Sequence, residues 1–224
     1  AFRKYLREGY QDVAALRRAW GDDKVSFANA VVPMPENGRF PMRLELDQRI
    51  RAFYRPVEDR AWIDYSQYYS RLLSDHLIRW CRIIKEETRG KRMTAAFYGH
   101  RFSLPGSFSG HLNLAGVLNS VYVDALCSPV SYRDRAPGGP GSFMSPVDSV
   151  ILHKKLWINE DDTRTHVIDE NSHGRKPGFS ATTNLAETNG VIDRNIANIL
   201  VHGAGIWWMD LGASGMYNSQ EVWD

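Results

Sequence analysis

Two cysteines in 224 residues are too few for a disulfide scaffold. No apolar run approaches the roughly 20 residues that a membrane-spanning helix needs. Neither sign of charge dominates, since 28 Lys and Arg stand against 26 Asp and Glu. The basic residues are scattered without a stripe, so neither a nucleic acid nor a membrane surface is an expected partner. The nucleotide-binding patterns G-x-G-x-x-G and G-x-x-x-x-G-K-[ST] are missing, and Gly138-Gly139-Pro140-Gly141 has no Lys-Ser/Thr after it. There is no G-x-S-x-G nucleophile elbow. The seven His form no H-E-x-x-H or other close pair, so no metal and no cofactor are expected. Asn-x-Ser/Thr sequons are also missing. What the chain has is aromatic area, with 7 Trp, 10 Tyr and 9 Phe, enough for a large core and incompatible with a disordered chain. Its length fits one domain over 1–224.

The chain opens at Ala1 directly in a helical pattern, without Met or signal-peptide architecture, as expected of a segment of a longer protein. Phe2, Leu6, Tyr10, Val13, Leu16 and Trp20 recur at helical spacing, and Gly21 stops the run. Residues 22–60 read as a long connection rich in Pro, Asn, Gly and Arg. From Asp64, Tyr65 to Ile84 form the apolar face of a helix of about six turns, with Asp64 and Gln67 resembling a capping box. Strands are expected at Met93–Tyr98, Val121–Ser128, Lys155–Asn159 and Ile206–Asp210. Helices are expected at His111–Asn119, after Ser145-Pro146 to His153, and at Asn184–Val201.

Four near-continuous apolar strands alternating with helices over 61–224, after the helical opening and connection of 1–60, predict an α/β fold with a parallel sheet. Two architectures fit, a doubly wound sheet and part of a (β/α)8 TIM barrel. The connections after strands are long and polar, and those before strands are mostly short, which favours the barrel, whose active face lies at the strand C-termini. A doubly wound sheet keeps its ligand loops there too.

All four strand ends change from apolar to polar or aromatic. Strand three runs Lys154-Lys155-Leu156-Trp157-Ile158-Asn159 into Glu160-Asp161-Asp162-Thr163-Arg164-Thr165-His166. Such a carboxylate is either a nucleophile in a walled pocket or part of a solvated turn. Tyr132 and Arg133 follow strand two, Tyr98, His100 and Arg101 end strand one, and strand four carries Trp207-Trp208. Tyr132 is a candidate to hold a carboxylate ionised. One Trp of the pair faces the pocket, where it suits stacking on a sugar ring, or simply packs in the core. Cys81 and Cys127 read as buried hydrophobes.

Several segments together have a familiar pattern. Ala1-Phe2-Arg3-Lys4-Tyr5-Leu6, with Tyr10, Leu16 and Trp20, resembles the segment after barrel strand four in beta-galactosidases of glycoside hydrolase family 42 and their relatives. SPVSYRDR (128–135), KLWINEDDTRTH (155–166) and GIWWMDLGASGMY (205–217) resemble the mouths of strands six, seven and eight in a branch of such proteins. The resemblance implies a truncated segment carrying strands five to eight of a TIM barrel. It implies a retaining glycosidase that acts on beta-galactoside-like sugars by double displacement, with a glycoside or oligosaccharide as partner.

Within that resemblance the strand-seven nucleophile falls on Glu160, with Asp161 as runner-up. The strand-four acid/base Glu, and the zinc cluster of some relatives, are expected upstream of Ala1. Tyr132 is implied to orient Glu160 and Trp208 to floor the sugar site, while Tyr98, His100, Arg133, Asp161 and Arg164 are candidate substrate contacts. The Asp161-Asp162 run departs from family 42 proper. Two rivals stand beside this: a non-catalytic carbohydrate-binding barrel and an unrelated doubly wound metabolite-binding domain. Half a barrel has two open sheet edges, so a second copy or poor solubility is also expected.

Overall fold

The computed structural model describes residues 1–33, 55–100, 102, 109–168 and 181–224. The expected connection around 34–54, Arg101 and the loop residues 103–108, and the loop residues 169–180 lie outside the described residues. The chain divides into two compact units. One comprises Ala1–Leu77 and Leu104–Gly116, the other Ile78–Ser103 and Val117–Asp224.

In the first unit the opening helical run is two helices, α1 (Phe2–Gly9) and α2 (Val13–Trp20). Asp12 caps α2 by accepting from the Ala15 amide at 2.7 Å, and Gly21 ends it in the left-handed conformation. Phe2, Leu6 and Leu16 are buried together, and the Phe2 ring meets Trp20, Tyr65 and Tyr68.

The long helix α3 (Arg60–Glu87) starts four residues before Asp64. Asp64 is therefore not a cap. Its carboxylate is buried and accepts from Tyr10 Oη at 2.5 Å, Trp20 Nε1 at 2.8 Å and Arg60 Nε at 2.9 Å. Tertiary donors, Tyr10 just after α1 and Trp20 of α2, replace the local cap, and burial, then the bond to Asp64, push the Tyr10 hydroxyl up to about 12. Asp64→Ala leaves these donors unpaired. A loss of about 3 kcal/mol is expected, to be read from urea unfolding midpoints.

The second unit is built on β1 (Ala95–Phe97), α4 (Leu114–Leu118, which begins in the first unit), β2 (Ala125–Pro129), α5 (Val147–Leu152), β3 (Leu156–Asp161), α6 (Leu185–Val201), β4 (Gly205–Trp208) and the short α7 (Gln220–Trp223). The four strands form one parallel sheet in the order β1-β2-β3-β4. No strand-order reversal occurs among the described residues, whereas a doubly wound sheet has one. Sequential order is consistent with part of a (β/α) barrel. α5 packs against β3 and α6 against β4. Asn184, read as the first residue of the helix, is instead its N-cap, accepting from Glu187 N. Ser145 does not cap α5; its hydroxyl donates to Gly99 O instead.

Register sorts the side chains into two faces, because paired residues of parallel strands point the same way. The front face carries Phe97, Cys127, Ile158, Glu160 and Trp207, and the back face carries Leu126, Trp157, Asn159, Asp161 and Trp208. On the front face Phe97 and Trp207 have centroids 6.4 Å apart although two strands separate them. Flat strands would put β1 and β4 on the order of 14 Å apart. Both rings lean inward, and Trp207 Nε1 lies 3.4 Å from Cys127 Sγ.

Candidate active site

β3 runs two residues further than its apolar stretch, through Glu160 and Asp161. The segment after it is not a solvated acidic turn, since Glu160 to Thr165 are all buried. The C-terminal stretch seals it from one side: Tyr217 Oη donates to Asp161 O at 2.9 Å and Thr165 Oγ1 donates to Met216 O. Burying three consecutive acids requires a partner for each.

Asp161 and Asp162 find theirs differently. Asp161 points to the back face, where its carboxylate accepts from Asn195 Nδ2 of α6 at 2.6 Å and from Thr163 N at 2.9 Å. Asp162, fully buried, is held by two guanidiniums. Arg135 Nη1 reaches Oδ1 at 2.5 Å and Arg164 Nη1 reaches Oδ2 at 3.0 Å. Tyr132 Oη adds a third contact to Oδ2 at 3.3 Å. Arg135 also donates to Ser131 O and Val130 O, and its guanidinium lies 4.3 Å from the Tyr132 ring centroid.

Glu160 is the acid left over. It is only 5% exposed, and no hydrogen bond to its carboxyl exists among the described residues. Burial, then the Asp162 charge, push it up to about 7 against the opposing pull of Arg135. A carboxyl in that range takes up and gives back a proton near neutrality. Around it the front face offers aromatic rings to solvent: Phe97 is 50% exposed, Tyr132 45% and Trp207 38%.

The candidate residues distribute as follows. Tyr132 lies beside the acids, and its hydroxyl is pushed up to about 12 by burial and by Asp162. Arg164 is present but committed to Asp162. His100 lies at the front with its Nε2 3.3 Å from Cys127 O and its ring edge-on to Phe97, and burial lowers its basicity. Tyr98 is wholly buried, and Arg133 is exposed with no part in the Asp162 cluster. The buried arginine of that loop is Arg135.

Trp208 pairs in register with Asp161 on the back face and meets the rings of Tyr217 and Trp223 edge-on. The tryptophan beside Glu160 is Trp207. Arg135, Asp162 and Asn195 were not among the sequence candidates, and of the Trp207-Trp208 pair the resemblance chose Trp208. One signal was available: residues two apart on a strand share a face, so Glu160 points to the side opposite Asp161.

Among the described residues no group of three or more His, Cys, Asp or Glu is placed to hold a metal ion. The chain matches no family model, no curated protein and no solved structure.

Proposed function

We propose that this chain carries the nucleophile side of a retaining glycoside hydrolase acting on beta-galactoside-like sugars, with β1–β4 as strands five to eight of a TIM barrel. The observation that carries the proposal is the Glu160 carboxyl, unclaimed by any hydrogen bond among the described residues and set among exposed aromatic rings at the C-terminal end of a parallel strand. Sequential strand order and the convergence of Phe97 and Trp207 support the barrel. An aromatic ring presents a negative π face to the C–H groups of a sugar, which suits Trp207 and Phe97 to flank a pyranose.

In this mechanism ionised Glu160 attacks the anomeric carbon, the glycosidic C–O bond breaks, and a glycosyl ester forms on Glu160. A second carboxylic acid, about 5–5.5 Å away, protonates the leaving oxygen and then activates the water that cleaves the ester. The resemblance assigns that acid to strand four. Asp162 does not serve, because Arg135, Arg164 and Tyr132 occupy its oxygens.

Incubation with a 2-deoxy-2-fluoro galactoside bearing an activated leaving group tests the proposal. The leaving group needs little acid assistance, so the test does not depend on the acid/base carboxyl. Intact mass is expected to rise by one fluoroglycosyl group, mapping to Glu160. A folded chain with unchanged mass overturns the catalytic proposal. A second reading, a carbohydrate-binding module, draws on the raised proton affinity of Glu160, whose neutral form hydrogen-bonds sugar hydroxyls without attacking. It predicts calorimetric binding of the sugar with no mass increase.

The pH dependence has a definite sign. Attack needs the ionised carboxylate, so the labelling rate is expected to rise about tenfold per unit up to about pH 7 and then level off. Stability moves the other way. The folded state favours protonated Glu160, so this contribution is full below the ordinary carboxyl range and is lost as pH rises through about 7.

A further inference from the structure

The surroundings of Asp162 pose a question of charge. One guanidinium would neutralise this carboxylate, yet two are bound to it. The buried Asp161 carboxylate lies next to it along the chain, so two guanidiniums and two aspartates make up the charged cluster at the end of β3. Glu160 stands two residues back along the same chain, on the front face.

Arg135 is also the best-anchored side chain of the loop after β2. Its three donating nitrogens are spent on Ser131 O, Asp162 and Val130 O. The loop around it is clamped from α6, where Arg194 donates to the carbonyls of Arg135, Ala136 and Gly139. Gly141 lies so close to that guanidinium, at φ +61°, that a Cβ would meet Arg194 Nε at 2.4 Å. Arg194 thus fixes the loop, the loop fixes Arg135, and Arg135 fixes Asp162.

We infer that the Arg135–Asp162–Arg164 assembly is a positioning device for Glu160, binding the loop after β2 to the end of β3 and setting the charge at which Glu160 works. The inference rests on Glu160 being the reacting carboxyl, as proposed above, but its test does not need catalysis. Asp162 repels the ionised Glu160 and Arg135 attracts it. Tyr132 and Cys127 face Glu160 from β2 and its loop, each with a proton affinity raised by burial, so both are neutral at pH 7. β4 contributes the uncharged Trp207 on that face, and the loop after β1 brings His100 to the same front, its basicity lowered by burial. Arg164 acts on Asp162 and Asp161 faces away, toward α6.

The experiment is a carboxyl-carbon NMR titration of the full chain with labelled glutamate, Glu160 being assigned by the signal lost in Glu160→Gln. In the wild type the Glu160 midpoint is expected well above the other glutamates. Asp162→Asn is expected to lower it, and Arg135→Gln to raise it, each by about one unit or more. Opposite movements separate a charge-setting role from loosened packing, which would shift both variants toward the ordinary value. A wild-type midpoint in the ordinary carboxylate range overturns the inference whether or not the variants fold, as do two folded variants that shift alike or not at all. Absence of labelling by the fluoro glycoside, with these shifts intact, would sink the glycosidase proposal and leave the assembly standing.

Discussion

Glu160→Gln is expected to abolish covalent labelling by the fluoro glycoside, with a rate loss on the order of 10⁴-fold or more. The amide keeps the size and burial of the side chain but offers no electron pair able to form the glycosyl ester. The loss should come without unfolding, because no hydrogen bond to the carboxyl exists among the described residues. Above pH 7 the variant is expected to be more stable than the wild type, since it removes a buried charge that the fold disfavours.

Asp161→Asn is the informative companion. Asp161 is bound to Asn195 on the back face, so labelling should persist while stability falls. Labelling that survives Glu160→Gln but disappears in Asp161→Asn would transfer the nucleophile to the neighbouring residue and contradict the register.

The second large effect concerns the back of the same strand. Trp157 is the largest fully buried side chain among the described residues and packs edge-on to Phe143, which in turn meets the ring of His202. Trp157→Ala is expected to cost about 3–5 kcal/mol, enough to unfold a marginal domain. Trp157→Phe should cost less than about 1.5 kcal/mol. The indole Nε1 is buried with no hydrogen-bond partner among the described residues, so removing it relieves an unpaired donor and offsets part of the lost volume. Urea unfolding of the two variants followed by circular dichroism checks the contrast. Equal costs would mean that Nε1 has a partner, such as a buried water.

Glu160→Gln and Trp157→Ala act one on each face of β3, and separating the faces is where reasoning from residues alone ran out. Alternation of apolar strands with helical patterns was legible throughout. It located all four strands, the helix α6 and the parallel sheet. The strand ends were read two residues short at β3 because acids there resemble a solvated turn. Their burial depends on Arg135, Arg164 and Asn195, which arrive from other parts of the chain. The same cause moved Asp64 from helix cap to tertiary hub, since Tyr10 and Trp20 lie 54 and 44 residues away in sequence.

By itself, then, the sequence determined the order and type of the elements, because hydrophobic period and capping chemistry are local. It also determined that Glu160 and Asp161 must face opposite ways, because a strand alternates at every residue. Which of them faces the aromatic side was decided only by the tertiary structure. The register Glu160 with Trp207 and Asp161 with Trp208 comes from hydrogen bonding between β3 and β4. The back face is identified by Asn195, brought over it by α6. A strand carries its own alternation but no absolute direction, and only neighbours supplied by distant segments can provide one.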